Sequence, residues 1–158
     1  MHKIIDNFLP QEDFEKIKSI IMGGDFPWYF INSISSPRDV ENFYFSHAFF
    51  NNHQMSCYFN ILYPLINKLN IKAIIRAKGN LYTKTDNLIV HDKHRDNDYE
   101  HNGALFYFNT NNGFTILEDG SKIESVENRI LLFNPQQLHS STSCTDEKIR
   151  VNVIFNYF

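Results

Sequence analysis

Little in this sequence would brace a fold from outside its own core. Of 158 residues only Cys57 and Cys144 are cysteines, too few for a disulfide framework and without zinc-finger spacing. They read as reduced thiols of a cytoplasm-like compartment, with a single bridge left open. The six glycines and five prolines form no linker, and the chain has no repeat or low-complexity tract. A run of about 18 apolar residues is also missing, which excludes a helical membrane span. The opening Met1-His2-Lys3-Ile4-Ile5-Asp6 lacks the apolar stretch of a secretion signal. Positive charge is not in surplus: 15 Lys and Arg stand against 18 Asp and Glu, net −3. With a pI near 6.1, that balance speaks against nucleic acid as a partner. One cytoplasmic domain over 1–158 is the expectation, long enough to bury roughly 70% of its extended surface.

What the chain does have is aromatics, 15 Phe, 8 Tyr and 1 Trp, in a pattern that changes near residue 70. Before it, Phe8-Leu9-Pro10-Gln11-Glu12-Asp13 opens a helix with Phe14, Ile17, Ile20 and Ile21 on one face, and Gly23-Gly24 ends it. A strand over 26–31 follows, then a second amphipathic helix near 54–69, started or interrupted at Pro64. After residue 70 the spacing predicts strands over 71–82, 88–91, 104–110, 114–118, 122–125, 130–133 and 149–155. Asn111-Asn112-Gly113, Glu118-Asp119-Gly120 and Asn134-Pro135 punctuate them as turns. The layout is α+β with a β core, a sandwich or jelly roll whose N-terminal helices pack on one sheet.

Chemistry concentrates in His94-Arg95-Asp96. In an extended segment residues two apart share a face, so an imidazole and a carboxylate project together while Arg95 points away. Those two groups are part of the 2-His-1-carboxylate set that binds non-heme Fe(II). His139 suits the third ligand, because it follows the apolar run Ile130-Leu131-Leu132-Phe133 and precedes a polar turn. If residues 140–148 close a symmetric antiparallel hairpin, Arg150 lies opposite His139, ready to bind a carboxylate in two-pronged fashion. A slip of one residue would turn it to the other face.

His94-x-Asp96, His139 about 45 residues on and Arg150 eleven residues later resemble the Fe(II)/2-oxoglutarate-dependent oxygenase signature. The likeness runs over roughly 71–158 and is nearest to the prolyl-hydroxylase-like branch and its small phage-type members. It implies a double-stranded β-helix (jelly roll) core over about 71–158, with 1–70 as a helical and strand support region. It further implies Fe(II) on His94, Asp96 and His139, with no catalytic residue beyond these ligands. Arg150 would pair with the distal carboxylate of the cosubstrate 2-oxoglutarate. Tyr107, in Tyr107-Phe108-Asn109, matches the branch's tyrosine on that carboxylate, and Tyr82 is similar to one at the iron-proximal end. Asn152 stands where the family often has serine, on the same face as Arg150. Three protein ligands leave about half of an octahedral iron open for a 2-oxo acid and dioxygen. The implied activity is hydroxylation of a C–H bond in a peptide, prolyl or small-molecule substrate, with succinate and CO₂ as co-products.

Other readings stand beside this one. Tyr82 and Tyr107 also fit a purely aromatic core. Along 74–82 one face carries Arg76, Lys78, Asn80 and Tyr82, which either lines a cavity, with Arg76 and Asn80 on the substrate side, or is solvated. His91 and His101 read as solvent-facing loop residues, His47 as a hydrogen-bonded core or edge histidine, and 92–100 as a mobile loop near the site entrance. A cupin-like metalloprotein and a non-enzymatic jelly-roll binding module are the competing functions.

Overall fold

The computed structural model describes residues 2–35 and 41–158. Two antiparallel sheets face each other, and strands are numbered in chain order. The larger sheet has the order β1 (Lys3–Ile5), β9 (Arg129–Phe133), β6 (Asn102–Tyr107), β11 (Ile149–Tyr157), β5 (Ile74–Thr83), β3 (Tyr44–Asn51) and β2 (Tyr29–Ile31). β4 (Gln54–Met55) pairs with the end of β3. The smaller sheet has the order β10 (Ser140–Ser141), β7 (Asn111–Ile116), β8 (Lys122–Ser125). The α+β jelly-roll layout expected from the strand spacing is what the chain adopts.

Alternation along the two central strands decides what each face of the large sheet does. From β11, Val151, Val153 and Phe155 enter one core with Ala77 of β5 and with Phe106 and Ala104 of β6. The helix α1 (Gln11–Ile21) supplies Phe14, Ile17 and Ile21 to that core, and α2 (Tyr63–Leu69) supplies Leu65. The opposite face carries Arg76, Lys78, Asn80 and Tyr82 from β5 and Arg150, Asn152 and Ile154 from β11. These meet the small sheet, where Leu117 and Ile123 close a second apolar cluster with Leu105, Tyr107 and Ile154. A double-sided strand thus reads as alternating only when its polar face lines a cavity.

α1 begins after Pro10, has Glu12 and Asp13 in its first turn and Lys18 in its last, as its macrodipole favours. Ile20, expected on the buried face, is 40% exposed because it sits at the edge of the stripe. The second helix is shorter than expected. Residues 54–55 are β4, Phe59–Leu62 form a 3-10 turn, and α2 starts with Pro64 in its first turn and stops at Asn70, whose φ is 53°. Nor does the support region stay outside the sheet: β1 pairs with β9 at one edge, and β3 pairs with β5 at the other. The expected strand over 88–91 reduces to a single bridge, Val90 to Thr142.

Asn128 ties the N-terminal segment to β9. Its side-chain oxygen accepts from the Leu9 N–H at 2.8 Å, and its Nδ2 donates to the Leu9 carbonyl at 2.9 Å. Both cysteines are free, Cys57 exposed and Cys144 buried. No helix among the described residues is long and apolar enough to cross a membrane.

Candidate metal centre and anion-binding cavity

Between the two sheets lies a cavity of about 390 Å³. One end is built by the segment 94–96 running against 135–139. His94 and His139 bridge antiparallel with N–H···O bonds of 2.9 and 3.0 Å, and the Asp96 N–H donates to the Pro135 carbonyl at 3.0 Å. That extended pairing turns His94 and Asp96 to one face, as the two-residue spacing predicts, and sets His139 beside them. Asp96 Oδ1 lies 3.8 Å from His94 Nε2 and 4.0 Å from His139 Nε2, and the three ligand atoms fall within 4.8 Å of one another. These separations are too long for hydrogen bonds among the three groups. An ion roughly 2.0–2.2 Å from each of two donors holds them at up to about 4.4 Å, so the spacing suits a shared ion. His139 Nδ1 lies 2.9 Å from the Gln137 carbonyl, which fixes the proton there and leaves Nε2 as a lone-pair donor.

Protonation states match that use. Burial and the neighbouring His139 ring push His94 down to about 4, against the pull of the Asp96 carboxylate and the Asp92 carbonyl, so the ring is neutral near pH 7. Burial alone would raise Asp96, but Arg76, His139, Asn156 and His94 outweigh it and hold the carboxyl below its ordinary range. Arg76 Nη2 donates to Asp96 Oδ1 at 2.8 Å and its Nε to Asn156 Oδ1 at 3.0 Å. Asn156 Nδ2 in turn donates to Asp96 Oδ2 at 2.9 Å. The carboxylate is therefore oriented through both oxygens, and the Arg76 guanidinium faces this candidate ligand. Asn156 carried no signal in the sequence; its position on the Arg150 face of β11, six residues on, was the available one.

The other end of the cavity is built around Arg150, whose residue surface is 0% exposed. The hairpin expected over 140–148 does not form. β10 pairs with β7, β11 pairs with β5 and β6, and His139 bridges to His94 outside both sheets, so His139 is not opposite Arg150. The reason is that residues 142–144 bridge instead to the 84–90 segment, through Val90–Thr142 and Lys84–Cys144. Arg150 is opposite Tyr82 in the β5–β11 register, and Asn152 is opposite both Asn80 and Tyr107. His139 and Arg150 therefore share one cavity but not the direct cross-strand pairing that the hairpin was expected to give.

Arg150 meets no carboxylate among the described residues. Its Nε donates to Ser125 Oγ at 2.7 Å, Nη2 to Thr115 Oγ1 at 3.1 Å and Nη1 to the Thr142 carbonyl at 3.3 Å. The guanidinium carbon lies 5.4 Å from the Tyr82 ring centre and 5.8 Å from that of Tyr107. Tyr107 Oη and Thr115 Oγ1 are 2.9 Å apart. Burial raises the pKa of both Tyr82 and Tyr107 against the opposing influence of Arg150, so both phenols keep their protons. Thr115 and Ser125 were missed by sequence reasoning, since hydroxyls on short strands carry no motif. Gly113 also has a part: a Cβ there would lie 2.6 Å from Arg150 Cδ and 2.6 Å from the Ser143 carbonyl oxygen, so only glycine lets the arginine pass.

Asn80 Nδ2 donates to Asn152 Oδ1 at 2.9 Å, while Asn80 Oδ1 and Ser140 Oγ are buried without a partner. Unpartnered buried acceptors in a cavity are what a ligand site leaves when nothing fills it. The expectations for His91 and His101 are overturned. His91 is 5% exposed, stacks on Tyr82 at 5.3 Å and lies 2.8 Å from Ser141 Oγ. His101 is 6% exposed, with Nε2 3.1 Å from Asn156 Nδ2. Both come from a polar stretch that folds inward onto polar partners, Ser141 for His91 and Asn156 for His101. His47 is the buried, hydrogen-bonded histidine expected, between the Pro27 carbonyl at 2.8 Å and Ser56 Oγ at 2.9 Å.

No protein-family model matches this sequence, and no curated protein matches it either. Solved structures do match its fold. A 2OG-Fe(II) oxygenase family oxidoreductase from Burkholderia pseudomallei superposes with a TM-score of 0.72 at 11% identity, covering 99% of this chain and 84% of that one. A prolyl hydroxylase from Trichoplax adhaerens, in complex with a hypoxia-inducible-factor peptide fragment, gives 0.69 at 14% identity over 99% and 83%. The viral collagen prolyl hydroxylase of Paramecium Bursaria Chlorella virus-1, in complex with 2OG, gives 0.66 at 12% identity over 98% and 94%. In fold, this chain is similar to solved 2-oxoglutarate/Fe(II) oxygenases, prolyl hydroxylases among them.

Proposed function

We propose that this protein is an Fe(II)- and 2-oxoglutarate-dependent dioxygenase that hydroxylates a C–H bond of a peptide, prolyl or small-molecule substrate. One observation carries the reading: a wholly buried arginine with no carboxylate partner among the described residues faces the same cavity as a convergent His-Asp-His set. A buried, unpaired cation is costly, and an anionic ligand removes the cost. His94, Asp96 and His139 are the residues that would hold iron, two neutral imidazoles and one carboxylate with their lone pairs turned inward. When bound, Fe(II) supplies the redox chemistry by which dioxygen and 2-oxoglutarate yield succinate, CO₂ and one oxygen atom for the substrate C–H bond.

The residues of the chain orient and bind. Arg150 uses three of its five N–H donors on protein groups and keeps the others for the distal carboxylate of 2-oxoglutarate. Tyr107 and Thr115 hold its guanidinium from one side and Tyr82 from the other, with both phenols protonated to donate. Asn80 and Asn152 line the wall between the two ends. Arg76, first read as a substrate-side residue, is assigned here to Asp96, which it fixes together with Asn156. The viral and Trichoplax neighbours, both prolyl hydroxylases, support a prolyl-type substrate.

The test is iron-dependent binding of 2-oxoglutarate and its turnover to succinate under air. Turnover is expected in the wild type and is expected to drop by at least about a hundredfold in His139→Ala. Protein that binds neither iron nor 2-oxoglutarate would be a jelly-roll binding module instead. One that binds metal with no effect of 2-oxoglutarate would fit the cupin-like alternative.

A further inference from the structure

Lys78 is, after Arg150, the second cation of the cavity that has no ion-pair partner among the described residues. It lies on the β5 face between Arg76 and Asn80, and its Nζ makes a 3.2 Å hydrogen bond to Tyr44 Oη, 5.3 Å from the Tyr44 ring centre. No carboxylate among the described residues pairs with it. Burial and the nearby Arg76 push its pKa down to about 8, opposed by Asp96, so it is charged near pH 7 yet poorly solvated. A methionine would fill the same space without that penalty.

The distal carboxylate of the cosubstrate assigned above does not account for Lys78. Arg150 stands opposite Tyr82, four residues along β5 from Lys78, or roughly 13 Å at about 3.3 Å per residue. Charge leads to the same place. Apart from Arg95, which has Glu118 at 4.0 Å, a divalent ion with Arg76, Lys78 and Arg150 faces among the described lining residues the carboxylate of Asp96 alone, and a dianionic cosubstrate cancels only half of that excess. The remaining positive charge is concentrated beside the metal ligands, since Lys78 acts on both His94 and Asp96. Tyr44 completes a small binding site. Burial raises its pKa to about 12, so its phenol keeps its proton. Accepting from Lys78, it has its own O–H free to donate, and it is braced by stacking on Tyr82 at 5.7 Å.

We infer that the primary substrate is an acid, bound through a carboxylate that receives hydrogen bonds from Lys78 and Tyr44. A point-charge ammonium and one phenol suit a monoanion, whereas a phosphate gathers more donors than this wall offers. The inference rests on the oxygenase reading and narrows its substrate class.

The experiment has two stages. Mn(II)-loaded protein is first titrated with 2-oxoglutarate. Fe(II)-loaded protein with saturating 2-oxoglutarate is then given N-acetyl amino acids, including N-acetylproline, and dipeptides, each paired with its carboxamide, and succinate above the substrate-free rate is measured. Some acids are expected to act with an apparent KM at least tenfold below their amides. Lys78→Met is expected to abolish the preference and Lys78→Arg to keep it, while the 2-oxoglutarate Kd moves less than threefold in either. The inference is overturned if no acid exceeds its amide, whether both act or neither does. It is equally overturned if Lys78→Met keeps the preference or raises the 2-oxoglutarate Kd instead, and then Lys78 serves the cosubstrate. Failure of the wild type to bind 2-oxoglutarate in the first stage would overturn the oxygenase reading itself.

Discussion

At one end of the cavity a buried arginine meets a carboxylate; at the other, a more deeply buried arginine meets two hydroxyls and a carbonyl. Arg76 and Asp96 close an ion pair at 2.8 Å, completed by Asn156. Arg150 has hydrogen bonds but, among the described residues, no carboxylate to balance its charge. Both strands are central and both arginines project from the same face of the sheet; Arg150 is the more deeply buried, yet it is Arg76 that has the carboxylate partner. A paired charge belongs to the folded protein. An unpaired one is set up for something that arrives.

The sharpest way to break this comparison is to remove each cation without a ligand present. Arg76→Met strands the Asp96 carboxylate in a site it occupies as an ion. Breaking a buried pair costs about 3–5 kcal/mol, and the partial exposure of the Arg76 side chain places this case at the lower end. The melting temperature is expected to fall by roughly 6–12 °C. Arg150→Met, of similar shape, removes an uncompensated charge and is expected to leave the apo-protein as stable as before or more so, by up to about 2 kcal/mol. Its binding of 2-oxoglutarate should be lost. Equal destabilisation by both variants would show that the two ends are alike after all.

A smaller effect is expected from crowding the Arg150 end. Gly113→Ala places a methyl against Arg150 Cδ and a backbone oxygen, and the oxygen cannot move aside as a side-chain tip would. Overpacking of this kind costs about 1–3 kcal/mol, measurable as a drop in Tm. Because the displaced atom belongs to Arg150, the 2-oxoglutarate Kd is expected to rise in the same variant. Thr115→Val comes next. It removes the hydroxyl shared by Arg150 and Tyr107 at 3.1 and 2.9 Å, worth about 1 kcal/mol and hence roughly fivefold in 2-oxoglutarate affinity.

How the sequence conveyed the two ends differs as well. His94 and Asp96 were legible because a spacing of two in an extended segment is local geometry, and His139 because it sits at the end of an apolar run. Arg150 was legible by its chemistry but not by its contacts. The hairpin that was to place it opposite His139 assumed that neighbours in sequence pair, whereas β11 lies between β5 and β6, each more than forty residues away. Register among distant strands is set by the whole sheet, and no window of the sequence contains it. The same limit hid Thr115, Ser125 and Asn156, whose roles exist only after the strands have met. It also misplaced His91 and His101, since a polar loop reads as solvated until a polar cavity is there to receive it.

His47 offers the control for the whole comparison, a buried polar group outside the cavity with both ring nitrogens satisfied by the protein itself. Burial lowers its pKa below the ordinary histidine value, against the raising effect of the Pro27 carbonyl. The folded state therefore binds this proton less readily than the unfolded chain. The contribution of a neutral His47 is fully present above the unfolded pKa of about 6.5 and is lost as the pH falls below it. His94 acts in the same direction, so the wild-type curve alone does not isolate His47. The difference in Tm between wild type and His47→Gln, followed from pH 7.5 to 5.5, does. That difference is expected to shrink as the pH falls, and by less than any effect above, because one satisfied histidine changes only its own proton balance. A difference that grew as the pH fell would mean instead that His47 is protonated in the folded protein, with the Ser56 hydroxyl as an acceptor, and that the satisfied group carries a charge as Arg150 does; a constant one would mean that folding leaves its proton affinity unchanged.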